Sequence, residues 1–101
     1  MTLTVSFSMR DSGRLRELVL MLAGELDSEG ARALGQRLRS LPEADVVVID
    51  LRRLSFIDSG GLRLLVEAKK TRGDRLRIAG AAPPIAHVFE TSGMAELLDE
   101  S

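Results

Sequence analysis

Residues 45–62 read Asp45-Val46-Val47-Val48-Ile49-Asp50-Leu51-Arg52-Arg53-Leu54-Ser55-Phe56-Ile57-Asp58-Ser59-Gly60-Gly61-Leu62. The β-branched run Val46 to Ile49 does not alternate with polar residues. It predicts a strand over 45–51, buried on both faces or set in the middle of a sheet. Arg52 to Asp58 then reads as a loop anchored by Leu54, Phe56 and Ile57. From Ser59 the apolar spacing turns helical and holds to Arg72, with Gly73 as the stop. Leu76 to Ala79 is the next strand. Two strands joined through a helix favour a parallel, right-handed crossover.

Toward the N-terminus, Thr2 to Phe7 alternates, with Leu3, Val5 and Phe7 on one side and Thr2, Thr4 and Ser6 on the other. Period two predicts a half-buried strand. Arg10-Asp11-Ser12-Gly13 is a turn signal, and Leu15 to Ala23 follows as the second arm of an antiparallel hairpin. Gly24-Glu25-Leu26-Asp27-Ser28 reads as a loop ending in capping residues, of which Asp27 or Ser28 can accept from the first free amides of a helix. Ala31, Leu34, Leu38 and Leu41 then recur at helical spacing until Pro42. Toward the C-terminus, Pro83-Pro84 opens a helix to about Thr91. Gly93 is its stop, and Met94 to Glu100 is expected to be a last short helix. The order β-β-α-β-α-β-α predicts an α/β fold with a small mixed β-sheet and helices packed mainly on one face. The expectation is one domain over residues 1–101.

Composition narrows the function. With 101 residues and 45% hydrophobic content, the chain buries roughly two thirds of its unfolded surface, enough for one core. Its 14 basic and 15 acidic side chains are interspersed, giving a formal charge of -1. That balance offers no field for steering toward nucleic acid or an anionic membrane. The chain has no cysteine, which rules out disulfides, thiolate metal sites and a cysteine nucleophile. No metal-ligand cluster or cofactor motif is expected. The first residues lack a basic segment followed by an apolar stretch. The longest apolar run, Leu18 to Ala23, is far short of the ~20 residues of a membrane span. A cytoplasmic location is the expectation.

Asp58-Ser59-Gly60-Gly61-Leu62 sits where a buried strand gives way to a helix. The first amides of a helix lack internal partners and carry partial positive charge. A phosphate on Ser59 has the amides of Gly60, Gly61 or Leu62 within its reach, and two glycines allow close approach of another molecule. The plainer reading makes Asp58-Ser59 a helix cap and the glycines a tight turn. Ser59, Arg63, Glu67 and Lys70 share one helix face, opposite Gly61, Leu62, Leu65 and Ala68. That stripe is either a solvated face holding an Arg63–Glu67 pair or a surface whose Arg63 meets a partner or a phosphoserine.

In these residues the chain resembles the STAS-domain proteins of the bacterial anti-sigma factor antagonist family. Asp58-Ser59-Gly60-Gly61-Leu62 resembles the family's Asp-Ser-x-Gly-Leu at a helix start. Gly24-Glu25-Leu26-Asp27 resembles its Gly-Glu-Leu-Asp loop after the second strand. Phe89 to Met94 resembles its late helix and Ser-Gly-Leu turn. Gly60 stands where the family frequently has a second serine, and Arg63 where it has a small residue. The resemblance implies that Ser59 is the phosphoacceptor. It implies that the kinase is a cognate anti-sigma factor with a histidine-kinase-like ATP-binding fold, bound by the unphosphorylated form and released on phosphorylation. A phosphatase restores binding, and a sigma factor is thereby controlled. Asp27, Asp58, Gly60, Gly61, Leu62, Arg63 and Glu67 are the expected partner-binding residues.

Other readings carry less. Val46 to Asp50 resembles the phosphoacceptor strand of a response-regulator receiver, but the acidic pair expected after the first strand is missing. An enzyme would need a base for Ser59. His87 is the one histidine, and no catalytic residue is assigned. Gly60-Gly61 is not a phosphate-binding loop. An assembly module of the same family, never phosphorylated, remains the alternative function.

Overall fold

The structure, a computed structural model, describes residues 2–99. It runs β1 (Thr4–Ser12), β2 (Leu15–Leu26), α1 (Ser28–Arg39), β3 (Val46–Ile57), α2 (Ser59–Arg72), β4 (Leu76–Ala79), α3 (Pro83–Thr91) and β5 (Leu98–Asp99). The strands lie in the order β1-β2-β3-β4-β5. β1 pairs antiparallel with β2, and every later pairing is parallel. The expected mixed α/β sheet and element order are therefore present.

Alternation sorts the sheet into two faces. Leu18, Leu20 and Leu22 of β2, Val47, Ile49 and Leu51 of β3, and Leu76 and Ile78 of β4 form one core with Leu34, Leu38, Leu62, Leu65, Ile85 and Phe89 from the three helices. All three helices thus cover the same face. Among the described residues, no helix covers the other face. Its Val19, Val48 and Ala79 floor a cavity of about 300 Å³ rimmed by Arg10, Arg52 and Arg77. Charged side chains do the covering there: Arg10 pairs with Glu17 at 3.1 Å, and Arg77 reaches Glu17 and Asp99 at 3.9 Å. Arginine stems shield apolar floor while their heads stay in water.

The expected loop at 52–58 is strand as far as Ile57. The β2–β3 register slips between Met21 and Ala23 and again between Gly24 and Glu25, each time with an extra residue on β3. Each bulge sets two residues against one and breaks the period of two. Leu51, Leu54 and Ile57 consequently face the core with two exposed residues between each, and Phe56 is 46% exposed rather than an anchor. β2 likewise continues through Gly24-Glu25-Leu26, so that stretch is not a loop. Gly24 adopts φ +95°, and a β-carbon there would lie 2.5 Å from the Thr2 carbonyl oxygen.

β1 starts later and ends later than the alternation suggests, at Thr4 and Ser12. The hairpin turn is Gly13-Arg14, with Ser12 paired to Leu15 and Gly13 at φ +65°. Phe7 shares the helix side with Val5 but stays 41% exposed, its ring held under the Arg37 guanidinium at 5.6 Å. At the other end, α3 stops as expected. Met94 N–H donates to the Phe89 carbonyl at 2.7 Å across Gly93, whose φ is +73°, a Schellman closure. The expected helix from Met94 is instead one 3-10 turn, Ala95–Leu97, followed by β5. Glu100, its expected last residue, lies outside the described residues. A run this short leaves a sequence no periodicity to show.

Candidate functional site

β2 and β3 run parallel and end level, with Leu26 opposite Ile57. The next residue on each strand is an aspartate, and each aspartate starts a helix. Asp27 Oδ1 accepts from the Gly30 amide at 2.8 Å and Asp58 Oδ1 from the Gly61 amide at 2.9 Å. Both sit in extended backbone, as a side-chain N-cap requires. The Asp58 amide donates to the Leu26 carbonyl at 3.3 Å, which ties the two strand ends together. Two helix N-termini therefore open side by side, and their partial positive charges converge on one patch.

The caps decide which amides are left. Gly61 N–H is taken by the Asp58 side chain and Leu62 N–H by the Asp58 carbonyl at 2.9 Å. The expected phosphate donors Gly61 and Leu62 are thus occupied. Among the described residues, the amides of Ser59 and Gly60 have no hydrogen-bond partner. Asp58, not Ser59, is the cap. Ser59 is the first residue of α2, exposed, and its hydroxyl makes no hydrogen bond among the described residues.

Internal packing explains the two glycines. A β-carbon on Gly61 would overlap the Leu26 carbonyl oxygen and stand 2.8 Å from Leu26 Cγ. One on Gly60 would lie 2.6 Å from Ser28 Oγ and 3.2 Å from Ser28 Cα. Gly61 and Leu62 are buried. Their positions let α2 begin directly against the end of β2 and the start of α1, rather than opening backbone to an outside molecule.

The helix faces fall as the spacing predicts. Ser59, Arg63, Glu67 and Lys70 are exposed, while Gly61, Leu62, Leu65 and Ala68 are buried. Arg63 and Glu67 form no ion pair, and the Arg63 side chain has no partner among the described residues. Beside Asp27, a cavity of about 300 Å³ is lined by Thr2, Leu3, Glu25, Asp27, Glu29, Gly30 and Ala33. Its acidic rim adjoins the twin helix starts. Nothing in the sequence marked it, because Thr2-Leu3 and Glu25 to Ala33 meet only once β1 lies beside β2.

Sequence reasoning named Ser28 only as a possible cap. It repeats the place of Ser59 one helix over: first residue of α1, after a capping aspartate, and exposed. The Asp27-Ser28 and Asp58-Ser59 doublets were the available signal. Three other hydroxyls differ. Ser55 Oγ donates to the Gly24 carbonyl at 2.9 Å, and Thr91 Oγ1 to the Val88 carbonyl at 3.2 Å. Ser92 lies at a helix C-terminus, where the partial charge is negative. His87 is exposed on α3, 3.9 Å from Glu90. No group of three or more histidine, aspartate or glutamate side chains suited to a metal ion occurs among the described residues.

The fold is that of a STAS domain. The chain belongs to that family: residues 9–99 match the family described as "Mlab, STAS domain". It is similar to the anti-sigma-B factor antagonist of Listeria monocytogenes, with 27% identity across 98% of this chain and 89% of the relative. The structure of an anti-sigma factor antagonist from Mycobacterium paratuberculosis superposes with a TM-score of 0.75 at 21% identity, covering 96% of this chain and 85% of that one. The anti-sigma factor antagonist SpoIIAA matches in its unphosphorylated form with a TM-score of 0.70 at 22% identity, over 95% and 88% of the two chains. Its phosphorylated form, described as a Bacillus cell fate determinant, matches with a TM-score of 0.64 at 22% identity, over 95% and 91%.

Proposed function

We propose that this chain is an anti-sigma factor antagonist switched at Ser59. In this reading the unphosphorylated chain binds a cognate anti-sigma factor, a serine kinase with a histidine-kinase-like ATP-binding fold. The bound kinase transfers the γ-phosphoryl group of ATP to Ser59 Oγ; ADP leaves, and the hydroxyl proton passes to a base of the kinase. The phosphorylated chain is released, and a phosphatase returns it to the binding form. The sigma factor is free while the anti-sigma factor is held. The chain acts in the cytoplasm, without nucleic acid or membrane as a partner, and contributes no catalysis of its own.

One observation carries the reading. Ser59 is an exposed hydroxyl at a helix start whose capping is already done by Asp58, so the hydroxyl is spared for chemistry. Its phosphate has two unbonded amides close by, those of Ser59 and Gly60, and the converging helix dipoles beneath it. The fold accepts the group with little rearrangement. A partner seated over Asp27, Asp58, Ser59, Arg63 and Glu67 meets added bulk and about -1.5 to -2 charges at pH 7, and the cost of desolvating them ejects it. Gly60, Gly61 and Leu62 serve that surface by setting α2 against Leu26 and Ser28. The unpaired Arg63 is a ready partner contact. Existence of SpoIIAA in phosphorylated and unphosphorylated forms supports a switch on this fold.

Ser28 is the rival hydroxyl, and packing separates the two. Ser28 Oγ is turned toward Gly60, so a phosphate there requires that hydroxyl to turn out to solvent first, whereas Ser59 Oγ is exposed with no hydrogen-bond partner among the described residues. The test is mass spectrometry after incubation with the cognate kinase and ATP. One phosphate at Ser59, none on Ser59→Ala, and retained binding by Ser59→Ala are expected. Phosphate on Ser28 or elsewhere with Ser59 unmodified overturns the reading. Stable binding with no phosphate transferred favours the assembly-module alternative.

A further inference from the structure

The two edges of the sheet are unequal. β5 is a two-residue edge, whereas β1 presents nine residues. Sheet edges are commonly protected by brevity, proline, bulges or charge, because a row of free amides and carbonyls invites another strand. β1 has none of these over Thr4 to Met9: no proline, no charged side chain, and an unbroken register with β2. It also carries two of the large exposed apolar side chains, Phe7 at 41% and Met9 at 42%. Both lie on the helix side, opposite Leu20 and Leu18.

We propose that β1 pairs antiparallel with β1 of a second copy of this chain, about a two-fold axis through Ser8, joining the two sheets into one. The strand is complementary to itself in that register. Ser8 is its midpoint, so Thr4 meets Ser12 of the second copy and the whole strand is paired. Phe7 meets Met9 of the second copy, twice by symmetry. Directly opposed residues share a face, and a sulfur at an aromatic ring is a favourable contact. The charges complete the match. Asp11 falls opposite Val5 of the second copy, diagonal to Phe7, on the side where the Arg37 guanidinium sits 5.6 Å over the Phe7 ring. Each copy's Arg37 therefore meets Asp11 of the other. Among the described residues of one chain, Asp11 has only a 3.5 Å contact with Arg16, both groups well exposed. A two-fold through Phe7 would instead place Asp11 opposite Leu3 and forgo the Arg37 contact.

The chain lacks cysteine, so single cysteines report the register cleanly. On the proposed axis the two Ser8 Cα atoms are about 4.5 to 5.5 Å apart, within disulfide range. The two Ser6 Cα atoms are offset by four residues, about 13 Å. Under mild oxidation Ser8→Cys is expected to form a covalent dimer at least about tenfold faster than Ser6→Cys. Sedimentation of the unmodified protein is expected to show a concentration-dependent dimer. Asp11→Arg and Arg37→Asp should each weaken it about tenfold, and their combination should restore it. Circular dichroism confirms that each variant is folded. A chain that stays monomeric to roughly 1 mM, or equal cross-linking at Ser8 and Ser6, overturns the proposal. In the first case the edge is left for a strand of a different protein.

Discussion

Asp58 and Gly61 are joined by a hydrogen bond of 2.9 Å from the Gly61 amide to the Asp58 carboxylate, and that bond assigns the structural and chemical duties at the start of α2 to different residues. Removing the cap and removing the neighbouring hydroxyl should then have different effects. Asp58→Ala is expected to cost about 0.5 to 2 kcal/mol of stability, and Ser59→Ala no more than about 0.5 kcal/mol. Urea unfolding of the two variants checks this. Equal losses would return the cap to Ser59.

The adjacent glycines should separate as well. Alanine at Gly61 meets backbone, the Leu26 carbonyl oxygen, and cannot be relieved by a rotamer. Gly61→Ala is expected to destabilise by about 1 to 3 kcal/mol, against the usual gain of alanine over glycine in a helix. Gly60→Ala meets mainly the Ser28 hydroxyl, which can turn aside, and should stay within about 1 kcal/mol of the parent. Thermal melts of both, and of Gly60→Ala combined with Ser28→Ala, measure the difference.

The core and the exposed stripe lie on opposite sides of α2. Leu65 is fully buried, so Leu65→Ala should lose about 2 to 5 kcal/mol. Arg63→Glu, on the exposed stripe, should leave stability within about 0.5 kcal/mol and weaken binding of the anti-sigma factor. Calorimetric titration with the cognate partner reads the second effect. Normal binding by Arg63→Glu would remove that residue from the interface.

Acid should act through Asp50. Asp50 is buried, and its carboxylate accepts from Arg52 Nη2 at 2.8 Å and from the Arg52 amide at 2.9 Å. The guanidinium bond holds its pKa below the ordinary carboxylate value, against the opposing effect of burial. A carboxylate whose pKa is lower folded than unfolded stabilises the fold above its unfolded value near 3.8. That contribution is lost as pH falls from there through the lower folded pKa. Arg52→Met should move the acid unfolding midpoint upward, as followed by circular dichroism from pH 6 to 2. An unchanged midpoint would show that the pair does not set acid stability.

Much of the fold was legible where one period dominates a stretch. The bounds of α2, β4 and α3 follow from helical spacing, Gly73 and Pro83-Pro84 and agree with the structure. Arg52 to Ile57 was not legible, because two bulges replace alternation with a spacing of three, and two exposed arginines in a row look like a loop. At the site, Asp27, Asp58 and the Ser59 stripe could be placed from the chain. The occupied amides, the reason for Gly60 and the equivalence of Ser28 could not. The occupied amides are local to Asp58 and the Ser28 doublet was there to be read, but neither points to a site by itself; the reason for Gly60 depends on β2 and β3 ending level, a property of register that no local window contains.

The fit of Gly61 against Leu26 also bears on how quickly a partner is caught. With the helix start seated on the end of a buried strand, the surface around Ser59 holds its shape before any encounter. No segment has to fold on arrival, so little ordering entropy opposes the complex. For the complex proposed above, capture is expected at the pace of ordinary rigid docking, roughly 10⁵ to 10⁷ M⁻¹s⁻¹. In the proposed switch, the lifetime of the complex, rather than its rate of formation, is the quantity that a phosphate on Ser59 shortens.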